Sequence, residues 1–182
     1  DPANALGTET LAITVMNEAT ADLNPVALAE TKERYGARIG GGSGVDRSYF
    51  NLFTPSVNLD GSVALFADVV RNPAFDAKEI DRLRAQQLAG IAQELKDPNA
   101  LAGRAMPALL YGKDSPYARL AAGRGDPVAV SKLTQADLVA FQQAWLRPDK
   151  AKLFVVSDQP LAVVKAALEK QFGDWKGTGA PG

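Results

Sequence analysis

The sequence contains no cysteine and no histidine. Without cysteine there is no disulfide, no thiolate metal site and no thiol nucleophile. Without histidine a Ser–His–Asp triad and an imidazole-bound zinc site cannot be built, because His is the usual base near neutral pH and the commonest zinc ligand. A carboxylate-only Mg²⁺ or Ca²⁺ site is the metal chemistry left open. Charge of one sign is lacking too. Twenty Lys and Arg against 21 Asp and Glu give a net charge of −1, so no basic excess points to nucleic acid or an anionic membrane. No apolar run reaches the ~18–20 residues of a membrane span. Asp1-Pro2-Ala3-Asn4 does not read as a signal peptide.

What is present is a globular composition. The chain has 182 residues, 46% of them hydrophobic and 23% charged, enough apolar material for a core and suited to one domain. The tail from Lys176 to Gly182 has linker composition, so both ends read as those of a piece of a larger protein.

Periodicity predicts helices through most of the chain. Leu11, Val15 and Glu18 share a face over 8–18. Asn24-Pro25 starts a helix and Gly36 ends it. Leu59, Val63, Phe66 and Val70 form an apolar stripe that stops at Asn72-Pro73. Asp76 caps the longest helix, with Glu79 in a capping-box-like position and a stripe of Ile80, Leu83, Leu88, Ile91 and Leu95. Asp97-Pro98 seeds another helix, in which Pro107 predicts a kink or early stop. A loop is expected over 111–130. Thr134 caps a helix carrying Leu138, Phe141 and Trp145. A last helix follows Asp158-Gln159-Pro160, with Leu161, Val164, Leu168 and Phe172 along one face.

Two segments read as strands. In 45–54 the alternation of Tyr49, Asn51 and Phe53 against Phe50, Leu52 and Thr54 puts bulk on both faces, so coverage on both sides is expected. The second, 152–157, is nearly all apolar and is expected to be buried. So few strands cannot cover so many helices, and further strands are expected from a partner or from beyond the chain ends.

Each candidate chemical feature has a structural reading that fits better. Gly40-Gly41-Gly42-Ser43-Gly44 lacks the Gly-Lys-Ser/Thr ending of a phosphate loop and reads as a hairpin bend. Ser115 has only Lys113 nearby as a base and reads as a loop residue. Asp97, Asp126 and Asp158 read as caps. Trp145 and Trp175 read as core anchors. Glu94 reads as a solvated helix carboxylate.

Several stretches together resemble the M16 family of zinc metallopeptidases. They are Gly36–Phe53, Ala67–Phe75, Ser115-Pro116-Tyr117 with Gly123, Leu133-Thr134 through Phe141, Val155-Val156-Ser157-Asp158 and Phe172-Gly173-Asp174-Trp175. The resemblance covers nearly the whole chain. It implies an α+β, LuxS/MPP-like two-layer sandwich, with helices packed on a mainly antiparallel and here partly truncated sheet. Residues 1–182 would form a single domain. The family's site is an inverted His-x-x-Glu-His zinc motif with a distant Glu. Placing Leu11-Ala12 on the residues before that motif puts Ile13, Met16 and Asn17 at its three working positions and Glu94 at the distant ligand. The resemblance therefore implies a non-catalytic domain with no cofactor of its own. Zinc would lie in a homologous catalytic partner domain, fused or separate, sharing a peptide-enclosing chamber. A periplasmic setting, or else a cytoplasmic one, and an assembly role like that of the bc1-complex core proteins are further implications. A self-sufficient Ser–Lys or carboxylate enzyme is the rival from a different class.

Overall fold

The computed structural model describes residues 1, 4–120, 124–177, 179 and 181–182. Among them nine α-helices accompany one two-stranded antiparallel sheet. The order is α1 (Thr8–Met16), α2 (Pro25–Tyr35), β1 (Arg38–Ser43), β2 (Ser48–Phe53), α3 (Leu59–Arg71), α4 (Ala77–Glu94), α5 (Pro98–Tyr111), α6 (Pro116–Leu120), α7 (Pro127–Lys132), α8 (Gln135–Trp145) and α9 (Leu161–Phe172).

The helix ends obey their sequence signals. The Asn24 side chain accepts from the Ala27 N–H, and Gly36 closes α2 in the left-handed region at φ 58°. Asp76 accepts from the N–H groups of Lys78 and Glu79. Glu79 does not complete the box, because its carboxylate pairs with Arg82 at 2.7 Å instead. The full reciprocal capping box belongs to Thr134 and Asp137 at the start of α8. The start of α1 is capped from a distance: the Asp1 carboxylate accepts from the Gly7 N–H at 2.7 Å and the Glu9 N–H at 2.8 Å. Negative charge there also complements the helix dipole.

The main core lies where α1, α4, α7 and α8 meet. Leu11, Ile13, Met16, Ile80, Ile91, Val130 and Leu138 are almost wholly buried in it. A smaller cluster of Leu28, Leu65 and Val69 joins α2 to α3. The last helix docks on α3. Phe172 meets Phe66 edge-on with ring centroids 6.2 Å apart, and Arg71 pairs with Asp174 at 2.8 Å and donates to the Gln171 carbonyl.

Five expectations are corrected. The glycines of 40–42 lie inside β1, paired with Phe50 and its neighbours, and the bend falls at 44–47. Glycine is favoured at 41 and 42 because the hairpin's own Phe50 and Tyr49 rings lie over them. A Cβ on Gly41 would stand 2.6 Å from the Phe50 ring and 3.0 Å from Ile13. Strand β2 is covered on one face only: Phe50 and Leu52 turn inward while Tyr49, Asn51 and Phe53 are exposed. The segment 152–157 pairs with no strand among the described residues and is exposed, with Phe154 at 88% and Val156 at 103%. An extended segment becomes a strand only when a neighbour takes its backbone groups, and none lies beside it among the described residues. The expected loop at 111–130 contains α6 and α7, each begun by a proline at its first turn. Finally, Pro107 does not stop α5. The carbonyl it leaves unpaired belongs to Gly103, which is exposed and open to water.

Candidate functional site

Helix α1 carries the three positions on which a zinc motif was expected. Ile13 is 1% exposed and Met16 is fully buried. Both side chains sit in the main core with Leu83, Ile91 and Leu138, so they line no opening. Asn17 follows the last turn. Its Nδ2 donates to the Ile13 carbonyl at 3.0 Å and to the Gly41 carbonyl at 3.4 Å, while its buried Oδ1 has no partner among the described residues. The half-buried Lys32 ammonium donates to the Asn17 carbonyl at 3.3 Å. Burial holds the Lys32 pKa below its ordinary value, partly offset by Glu18.

Glu94 ends α4 and is not solvated alone. Its two oxygens accept from Arg104 of α5 and Arg124, each at 3.1 Å. Arg104 also donates to the Gly125 carbonyl at 2.9 Å. The carboxylate is thus a tie between the end of α4, α5 and the segment before α7. It does not meet the α1 trio. Helices α1 and α4 run in opposite directions, since Gln87 reaches the Gly7 carbonyl at the start of α1 while Arg82 reaches Glu18 beyond its end. Glu94 lies about two turns further on from Gln87, past the start of α1, whereas Asn17 lies at its other end.

The remaining candidates have structural roles. Ser115 Oγ accepts from the Tyr117 N–H at 3.3 Å at the start of α6. Asp97 and Asp126 cap α5 and α7. Asp158 caps no helix and instead accepts from Ser56 Oγ. Trp145 is not a core anchor: it is 45% exposed, with the Lys150 ammonium 4.8 Å from its ring centroid. Trp175 packs on Phe172 at 5.9 Å. Gly123, Thr178 and Ala180 lie outside the described residues. Gln87, which ties three segments together, gave no sequence signal beyond its place on the buried face of α4.

A cleft of about 430 Å³ between α3 and α9 is lined by Asp60, Ala162, Val163, Ala166, Ala167 and Lys170, with no Ser, Thr or Cys among them. Among the described residues no three His, Cys, Asp or Glu side chains gather closely enough to hold a metal ion. No described helix is long and apolar enough to cross a membrane.

Comparison with known proteins gives the class first. The fold is that of M16-type peptidase domains. It matches the first half of the periplasmic protease PqqL of Escherichia coli at a TM-score of 0.83 and 19% identity, over 100% of this chain and 40% of that one. It matches a protease of Helicobacter pylori at 0.81 and 18%, over 98% and 43%.

Within that class the sequence is more specific. Residues 132–182 match the family model described as the peptidase M16 inactive domain. A peptidase M16 inactive domain from Pseudomonas fluorescens is 32% identical, with a TM-score of 0.71, over 77% of this chain and 34% of that one. The chain is thus similar to the M16 peptidases in fold, and over residues 132–182 to their inactive-type domain. It spans between 34% and 43% of the length of these three structures. No curated protein matches it.

Proposed function

We propose that this chain is a non-catalytic M16-type domain with a structural role in a larger peptidase. It walls a peptide-enclosing chamber and contacts a homologous catalytic domain, fused or separate, and that domain holds the zinc. The observation that carries this reading is the state of α1. On our register Ile13 and Met16 stand where zinc-site residues would stand, and both are sealed into the core. Zinc takes deprotonated N, O or S donors, and this set does not fit it. An isoleucine offers no donor and Asn17 only an amide. Glu94 is neutralised by two arginines and lies away from both. A periplasmic setting for the parent protein is part of this reading, since the similar PqqL is a periplasmic protease.

Calorimetric titration of the chain with Zn²⁺ tests the reading. No stoichiometric binding is expected, and Glu94→Gln should leave the titration unchanged. A tight one-to-one site that Glu94→Gln abolishes would overturn the proposal.

A further inference from the structure

The tail after Lys176 has the composition of a linker, yet its described glycines lie on the domain, against the C-terminal end of α8. That end has acceptors to satisfy, since the last four carbonyls of a helix lack partners within it. The N–H groups of Leu146 and Arg147 take the carbonyls of Gln142 and Trp145, and the Gly182 N–H takes that of Ala144 at 3.1 Å. Arg147 is only 8% exposed, is paired with Asp149 at 2.9 Å, and donates from Nη1 to the Gly179 carbonyl at 3.0 Å. The Lys150 ammonium, 4.8 Å from the Trp145 ring centroid, donates to the Gly182 main-chain oxygen at 2.6 Å. Both cations also suit the negative end of the helix.

Contact explains two of these glycines. A Cβ on Gly177 would stand 2.5 Å from Arg147 Nη2, and one on Gly182 would stand 2.5 Å from the Trp145 indole. Gly179 would meet nothing within 4 Å but turns the chain at φ 70°, in the left-handed region. A free linker uses glycine for mobility, whereas here it serves close approach and a turn. We infer that the corner formed by Trp145, Arg147 and Lys150 is a docking site for glycine-rich backbone, and that the chain's own Gly177, Gly179 and Gly182 occupy it as a strap. The site reads main chain alone. Cations take two oxygens and a helix carbonyl takes one N–H, while the flat guanidinium and indole leave no room for a side chain over them. The tail is thereby tied to α8 as well as to α9, the helix it follows.

Two measurements read the strap separately: tryptic cleavage after Lys176, and acrylamide quenching of Trp145 in a Trp175→Phe chain. Cleavage tracks the population in which a segment is released. The bond after Lys176 should therefore be cut several-fold faster in Gly182→Val than in the unmodified 182-residue chain, and the same substitution should raise the quenching of Trp145. Arg147→Gln, which weakens the hold on Gly179, should also speed the cleavage. Circular dichroism checks the fold of each variant. Should Arg147→Gln unfold the chain, Gly182→Val decides alone, since it lies beyond the last helix. Adding two serines after Gly182 should change neither measurement, because a peptide carbonyl serves Lys150 as well as a terminal oxygen does. Cleavage and quenching that Gly182→Val leaves unchanged would overturn the strap. Protection lost on adding the serines would show attraction to the chain's end charge only, and would overturn the docking site.

Discussion

The amide of Gln87, in the middle of α4, donates to the carbonyl of Gly7, 80 residues earlier, at 3.2 Å. The same nitrogen donates to the Arg124 carbonyl at 2.6 Å, and the side chain is almost wholly buried. One polar side chain thus satisfies two backbone acceptors that pack against each other, since the Asp126 N–H also reaches the Leu6 carbonyl at 3.1 Å. Gly7 and Gly125 have φ of 104° and 110°, which admits this approach without a Cβ in the way.

Gln87→Ala leaves both carbonyls without that donor. Losing a partner for a buried group costs ~1–3 kcal/mol, and a fall of that size in unfolding free energy is expected from urea titration. Gln87→Glu should be at least as harmful, because it sets a carboxylate against the same two oxygens. An unchanged midpoint for both variants would show that water replaces the amide without cost.

Gly41 and Gly40 are neighbours in β1 with opposite surroundings. A Cβ at 41 meets the Phe50 ring and Ile13, while nothing lies within 4 Å of one at 40. Gly41→Ala should therefore destabilise by ~1–3 kcal/mol through overpacking. Gly40→Ala should be neutral or gain up to ~1 kcal/mol from reduced unfolded-chain entropy. Paired denaturation curves check the contrast, and equal midpoints for the two variants would refute it.

The capping box of α8 gives a pH dependence. The Thr134 hydroxyl and then the Thr134 backbone N–H hold the Asp137 carboxyl below its ordinary value. A depressed folded pKa means that the unfolded state takes up the proton first. The stabilisation is complete above the unfolded value of about 3.9 and is lost as pH falls through the folded one. Asp137→Asn should flatten the part of the Tm-versus-pH curve below about pH 4 that belongs to this group. Thr134→Ala should cost ~1 kcal/mol at neutral pH.

Local chemistry explains which parts of the fold could be read from sequence. The stops and starts at Asn24-Pro25, Gly36, Asp76 and Thr134 act over three or four residues, so the sequence contains the whole cause. For the segment 152–157 the cause is not local, because burial depends on what lies beside it. Its composition says that it suits the inside of a sheet, but a neighbouring strand has to be there to bury it. In 111–130, prolines that read as breakers are helix starters once Asp126 supplies a cap. Of the expected site residues, Glu94 was correctly placed on α4. Its two arginine partners lie 10 and 30 residues away on other segments, beyond any periodicity. Ile13 and Met16 were read through a family register, and their burial follows equally from the apolar face of α1.

The two tryptophans sit in unlike surroundings, one at the exposed end of α8 beneath an ammonium and the other against Phe172 where the last helix docks. They make the chain its own optical probe. Acrylamide should quench the exposed Trp145 more strongly in the native state than the part-buried Trp175, whose emission reports on the end of α9. Single-tryptophan variants would therefore separate the release of that helix from collapse of the main core, and the emission of each would time a different event as the chain folds.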